Sequence, residues 1–308
     1  MAAVYFKNFL LRRWAQLEDR ESLRDVLVPM ALSATPLARK QLCAAVEELA
    51  DLERWPSLLP QLVSASSRDT ALASLELAHA ALRQLRSESG HVEMSRQARC
   101  CAELLGPMHL ELWRHACDRL VAADPDSGEL LRAAAQVLHD LTRPTMPEHV
   151  AQHLEIYMQG LFLALQRLSG DVLQELCQLL AMWLSRYAEV LEAQVGRCVE
   201  AVGALLQRDG QDGVAVSAMA VLSAAACQEW HAGPFKDPAV LGAICEHVVL
   251  PNLKLMTEST CPLQLRHTLW PFVHYADALS APSHRLCAVL DVLSLLSSFS
   301  PEAAIGGR

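Results

Sequence analysis

Two histidines four residues apart, His149 and His153 in Glu148-His149-Val150-Ala151-Gln152-His153, have the spacing that most invites chemistry. On a helix they share a face, the geometry in which two imidazoles grip zinc. A metalloprotease also needs a glutamate directly after the first histidine as general base, and Val150 stands there instead. The pair therefore reads as partly exposed surface histidines. His109 and His115, six apart, match one helix face poorly. Adjacent Cys100 and Cys101 point about 100° apart on a helix, so one is expected in the core and the other partly exposed. No phosphate loop, GxGxxG turn or GxSxG elbow occurs in the chain. No catalytic residue, cofactor or metal is expected, and the chain is not expected to be an enzyme.

A second constellation points to recognition. Glu47, Glu48, Asp51 and Glu53 cluster just before Trp55-Pro56. Acid at a helix C-terminus opposes the helix dipole, so the cluster carries a mild local cost that a purely solvated end would not need. These four carboxylates with Trp55 form the candidate partner-binding set. The six tryptophans (Trp14, Trp55, Trp113, Trp183, Trp230, Trp270) are widely spaced, mostly near helix ends, as anchors between helix pairs would be. Trp14 or Trp55 would alternatively suit an interface, where aromatics dominate the energetics.

The elements that must position these residues read as helices throughout. The chain of 308 residues is 52% hydrophobic but only 5% aromatic, so burial rests on Leu, Ala and Val. Helices are expected over about 2–14, 20–33, 36–51, 57–64, 68–88, 92–104, 108–122, 127–141, 147–168, 170–187, 189–207, 212–228 and 237–253, and another near 284–298. Turn signals separate them at Ser89-Gly90, Gly106-Pro107, Asp124-Pro125, Arg143-Pro144, Ser169-Gly170, Asp209-Gly210 and Gly233-Pro234. Taken in pairs, the helices recur every ~35–45 residues, the period of HEAT and armadillo repeats. The fold class is all-α, an α-solenoid of HEAT-type helical repeats, over a compact bundle as the competitor. The domains are expected as an arch over residues 1–255 and a divergent helical tail over 256–308.

No run of 18 apolar residues exists, so no membrane insertion is expected. The ten cysteines include no CxxC pair, and most sit among Leu and Ala, which fits free thiols in a reducing compartment. The formal net charge is −9, yet the first 40 residues hold seven Lys/Arg against four Asp/Glu. An acidic body disfavours nucleic acid and favours a basic partner. The opening run Val4-Tyr5-Phe6-Lys7-Asn8-Phe9-Leu10-Leu11-Arg12-Arg13-Trp14 puts Val4, Phe6, Phe9, Leu10 and Trp14 on one stripe that asks for a neighbour.

These motifs carry a resemblance. Phe6-Lys7-Asn8 followed by Arg13-Trp14 looks like the FKN…W signature of the karyopherin-β (importin-β) transport receptors. Lys40-Gln41-Leu42 through Trp55-Pro56-Ser57-Leu58-Leu59 resembles their next repeat, with its WP-x-LL opening. Ala243-Ile244-Cys245-Glu246-His247-Val248-Val249-Leu250-Pro251-Asn252-Leu253 is similar to the ICE…PN segment of the exportin branch that recycles importin-α. The resemblance covers roughly residues 1–255. It lacks the family's first repeat and the acidic insertion after the PN segment, so the chain looks like an N-terminal fragment. It implies a nuclear transport receptor that exports importin-α, its cargo, from nucleus to cytoplasm with the small GTPase Ran in its GTP state. It also implies that inner helices of the early repeats contact Ran, which places Glu47, Glu48, Asp51, Glu53 and Trp55 in the right neighbourhood. Another importin or exportin with different cargo, or a HEAT-repeat scaffold without transport activity, stands as the alternative.

Overall fold

The computed structural model describes residues 2–49, 55–83, 91–208 and 212–226, with Ala239 and Gly242 singly. Every regular element among them is helical. Two compact units divide the chain between Ala164 and Leu165. The first holds α1 (Ala2–Arg13), a 3-10 turn (Trp14–Gln16), α2 (Arg20–Ser33), α3 (Pro36–Leu49), α4 (Leu58–Ala65), α5 (Ala71–Arg83), α6 (His91–Val121), α7 (Ser127–Thr142) and α8 (Glu148–Gln152). Helix α9 (Leu154–Arg167) begins in the first unit, and its last residues, from Leu165, belong to the second. The second holds α10 (Asp171–Arg186), α11 (Ala188–Leu191), α12 (Val195–Leu206) and α13 (Asp212–Ala226).

Local chemistry sets several boundaries where the sequence places them. Asp19 caps α2 by accepting from the Ser22 amide at 3.2 Å, and Pro36 opens α3 where its missing N–H costs nothing. Between α6 and α7, Ala123 adopts φ 57°, and Arg119 holds Asp124 with two hydrogen bonds of 2.9 Å. Gly170 begins α10 at φ 73°, which a side chain would resist.

Packing in the first unit runs in two rows. Helices α1, α3, α5 and α7 touch in succession; so do α2, α4, α6 and α8; and α2/α3, α4/α5 and α6/α7 pack as hairpins. That ladder is the HEAT-type solenoid arrangement: each pair buries one face on the pair before and another on the pair after. In the second unit α10 and α12 both pack on α13. Arg208 there donates to the carbonyls of Leu165 (2.8 Å) and Leu168 (2.9 Å), satisfying groups at the end of α9.

Three expected helix divisions are corrected by the structure. Gly106-Pro107 is not a turn: α6 runs unbroken from His91 to Val121 with Pro107 inside it. An interior proline costs about 3 kcal/mol, and the packing of α6 on α4, α7 and α8 outweighs it. Gly106 serves close approach instead, since a Cβ there would stand 2.7 Å from His149 Cδ2. The single helix expected over 147–168 divides at His153. Its Nδ1–H donates to the His149 carbonyl at 2.9 Å, taking the acceptor that its own amide would use in a continuous helix. The helix expected over 189–207 likewise divides, at a 3-10 turn over Glu192–Gln194. The helices expected near 237–253 and 284–298, and the tail from 256, lie outside the described residues.

Candidate partner-binding face

In α5 the residues with solvent access are Leu72, Glu76, His79 and Arg83, and every other one is buried. They fall at i, i+4, i+7 and i+11, one narrow stripe on a helix otherwise enclosed by its neighbours. Helix α7 repeats the pattern with Gly128, Glu129, Arg132, Gln136 and His139, and exposed Arg143 follows at its end. Helix α3 adds Lys40, Glu47 and Glu48. Because α3, α5 and α7 pack side by side, these stripes form one polar face of the first unit.

Cross-helix pairs stitch the face together. Arg39 of α3 donates to Glu76 of α5, and Arg83 of α5 meets Glu47 of α3 at 3.0 Å. His79 of α5 donates from Nδ1 to Asp140 of α7 at 2.6 Å, and His139 stands 3.9 Å from the same carboxylate. The Asp140 side chain is only 1% exposed, so this pair acts where water screens little. The Arg83–Glu47 pair is much more exposed and contributes under about 1 kcal/mol. Cys43 lies among these groups; burial, then the Glu76 carboxylate, push its thiol up to about 12, so it stays protonated and inert.

The predicted set is divided by the structure. Glu47 is half-buried in its pair with Arg83, and Glu48 is exposed on the same helix. Asp51 and Glu53 lie outside the described residues. Trp55 is 1% exposed, so in the isolated chain its ring is a core group. Arg24 of α2 covers it, with Cζ 5.8 Å from the Trp55 ring centre and 5.7 Å from that of Trp14. Arg24 is itself buried, and its guanidinium meets Glu21 at 2.5 Å. Thus the tryptophans of the two N-terminal motifs grip one arginine, a cation–π sandwich that fastens α2 to what flanks it.

Sequence reasoning missed Arg39–Glu76 and His79–Asp140. The available signal was Asp140 itself, a carboxylate at a buried position of the Ala-Leu face of α7. It also undervalued His109, which is fully buried. Its Nδ1 accepts from the Tyr157 hydroxyl at 3.1 Å, and its Nε2–H donates to the Ala134 carbonyl at 2.8 Å. Burial drives its pKa down to about 4, so the ring is neutral and structural. The His149 and His153 rings lie 4.5 Å apart, and burial followed by the neighbouring His153 lowers the pKa of His149. Among the described residues no group of three potential ligands surrounds a metal position. Cys101 is buried and Cys100 exposed, as expected; Cys43, Cys117, Cys177 and Cys198 are free thiols. No helix among the described residues is long and apolar enough to cross a membrane.

Residues 128–260, from the start of α7 past α13, match the Cse1 family model. Exportin-2 of Xenopus laevis is 24% identical over an alignment covering 82% of this chain and 30% of that protein. The chain resembles exportin-2. The human exportin-2 gives the same 24% identity and coverage, and the importin-alpha re-exporter of Schizosaccharomyces pombe reaches 25%. The solved exportin Cse1 in its cargo-free, cytoplasmic state superposes with a TM-score of 0.73 at 17% identity, over 95% of this chain and 37% of that one. That likeness places the chain in the same fold, the helical-repeat solenoid of the exportins. The Cse1 family-model match includes the Ile244-to-Asn252 segment that prompted the resemblance, although those residues lie outside the described ones. The chain spans about 30% of the length of the curated exportin-2 relatives it matches.

Proposed function

We propose that this chain works as a nuclear export receptor that carries importin-α from nucleus to cytoplasm together with Ran in its GTP state, without catalysis. The observation that carries the reading is the exportin-2 similarity across 82% of the chain. The polar face on α3, α5 and α7 adds a physical means. It is rigidly held, charged and accessible, which suits recognition of a folded partner by complementary charge. On this reading Glu47 and Glu48, with Asp51 and Glu53, meet basic groups of Ran, while Trp55 acts from beneath by fixing α2 through Arg24. Glu47 then exchanges its partner Arg83 for a basic group of the GTPase. The guanine nucleotide belongs to Ran, and its hydrolysis releases both partners through the differential affinity of the receptor for the two nucleotide states.

The test is capture of purified Ran by the immobilised chain, with Ran loaded with a non-hydrolysable GTP analogue or with GDP, and with or without importin-α. Preferential capture of the GTP form, strengthened by importin-α, is expected. Capture of Ran-GTP without any effect of importin-α would reassign the chain to a karyopherin with another cargo. Failure to capture either form of Ran would leave a HEAT-repeat scaffold and sink the proposal. A Glu47→Lys/Glu48→Lys variant is expected to lose roughly tenfold or more in Ran affinity, the scale of an interfacial charge reversal.

A further inference from the structure

We propose that Thr35 is a phosphoacceptor for a proline-directed serine/threonine kinase, and that the head of α3 and Arg39 hold the phosphate it receives. A proline directly follows a serine or threonine twice in the sequence, at Thr35-Pro36 and Ser300-Pro301, and that proline is what this kinase class reads. Only Thr35-Pro36 lies among the described residues. Thr35 is exposed, and its hydroxyl makes no hydrogen bond among the described residues. A threonine before a helix normally turns that hydroxyl onto an amide of the first turn; at the head of α3 this place is not taken.

The turn is also open to an enzyme. None of residues 33–38 is buried, and Leu37 is 74% exposed. A kinase takes its acceptor in extended form, and Ala34 is already extended at φ −73°, ψ 152°. Drawing out the first turn of α3 therefore uncovers no core residue before Arg39. Helix α3 packs on α1, α2 and α5, so this exposure belongs to the end of an enclosed helix rather than to a free flank.

In the transfer, Thr35 Oγ1 attacks the γ-phosphorus of ATP. The bridging P–O bond to ADP breaks, and the hydroxyl proton passes to the catalytic aspartate of the kinase. The product carries close to two negative charges at a helix N-terminus, where the dipole favours that sign. Pro36 brings no N–H, but the Leu37 and Ala38 amides of the first turn lack intrahelical acceptors and face the added oxygens. Arg39 follows one turn on: its amide donates to the Thr35 carbonyl at 2.8 Å and its Nη1 to the Ala34 carbonyl at 3.3 Å. The guanidinium thus lies beside the acceptor residue, while its Nε pairs with Glu76 of α5. The phosphate draws Arg39 from Glu76, so modification of the α2–α3 turn slackens the tie between α3 and α5. Phosphorylation of Thr35 requires no transport partner, so it and the transport reading can fail separately.

The test uses the full chain in a Ser300→Ala background, with a purified cyclin-dependent kinase, ATP and Mg²⁺, and phosphopeptide mapping. One phosphate on Thr35 of the folded chain is expected, absent in Thr35→Ala and added at least about tenfold more slowly in Pro36→Ala. Phosphorus NMR then follows the phosphate with pH. Its second pKa, about 6 in a free ester, is expected at least about 0.5 lower in the chain than in a phosphorylated peptide of residues 30–41. Glu76→Gln should lower it further by freeing Arg39, and Arg39→Gln should return it towards the value in the peptide. Circular dichroism reports whether each variant is folded. Glu76 has solvent access, so Glu76→Gln decides the matter if Arg39→Gln unfolds the chain. No phosphate on Thr35 of the folded chain, or equal rates in Pro36→Ala and the parent, would overturn the proposal. So would a phosphate pKa equal to that in the peptide, or one that Glu76→Gln leaves unmoved.

Discussion

Replacing Gly160 by alanine tests the packing of the first unit most directly. A Cβ at Gly160 of α9 would press on the Trp113 Nε1 and stand 2.8 Å from both Trp113 Cε2 and Cys117 Sγ of α6. The indole has nowhere to retreat. Trp113 is fully buried, edge-on to Tyr157 with ring centres 5.5 Å apart and stacked on His109 at 6.3 Å. His109 is in turn tethered by its bonds to Tyr157 and Ala134. Helix propensity alone favours alanine by about 1 kcal/mol. Overpacking against a rigid core costs about 1–3 kcal/mol, and the fixed indole puts this site at the upper end. The net expectation is a loss of roughly 2 kcal/mol, or a Tm lower by about 4–8 °C for the transition of the first unit, Met1–Ala164. Gly196 of α12 supplies the control, because a Cβ there meets nothing within 4 Å. Gly196→Ala should therefore stabilise, by about 0.5 kcal/mol so near its helix start. Urea unfolding followed by circular dichroism measures both, with midpoints read for each transition since the two units need not unfold together. Trp113→Phe in the Gly160→Ala background should recover part of the loss through non-additivity of at least about 0.5 kcal/mol. If Gly160→Ala is as stable as the parent, the account of this contact is wrong.

Other expectations follow from the same chemistry. His109 has its folded-state pKa lowered to about 4, so the unfolded chain binds more protons between that value and about 6.5. Its contribution is therefore full above about pH 6.5 and is lost as pH falls towards 4, on the order of 3 kcal/mol; His109→Phe should flatten the stability profile in that window. Arg24→Ala should cost roughly 2 kcal/mol in urea midpoints by emptying the space between Trp14 and Trp55, and Arg24→Lys should restore only part, lacking the planar group. Ala123→Gly should stabilise by about 0.5–1 kcal/mol because φ 57° suits glycine, and an unchanged melting curve would contradict the turn geometry. Maleimide labelling with peptide mapping should modify exposed Cys100 well before Cys101, whose thiol burial pushes up to about 12; the reverse order would refute the placement of α6.

What the amino-acid sequence determined by itself was mostly local. Asp19 before Arg20, Pro36 at the head of α3 and Gly170 before α10 mark their boundaries because capping and φ preferences act within a few residues. The all-helical class follows from Leu and Ala at helical spacing, and the exportin resemblance from the Phe6-to-Trp14, Trp55-Pro56 and Ile244-to-Asn252 motifs. The tertiary structure decided whatever depends on a neighbour far along the chain. Gly106-Pro107 carries every local mark of a break, yet contacts to α4, α7 and α8 hold the helix through it. Trp55 reads equally well as interface or anchor until Arg24 is seen between it and Trp14. Glu47 and Glu48 lay within the candidate set, but nothing nearby in sequence shows that Glu47 faces Arg83, 36 residues away. Stripes such as Glu76, His79 and Arg83 become one surface only when α3, α5 and α7 pack side by side. Helix periodicity states which residues share a face; only the packing of pair on pair states which faces remain open to a partner.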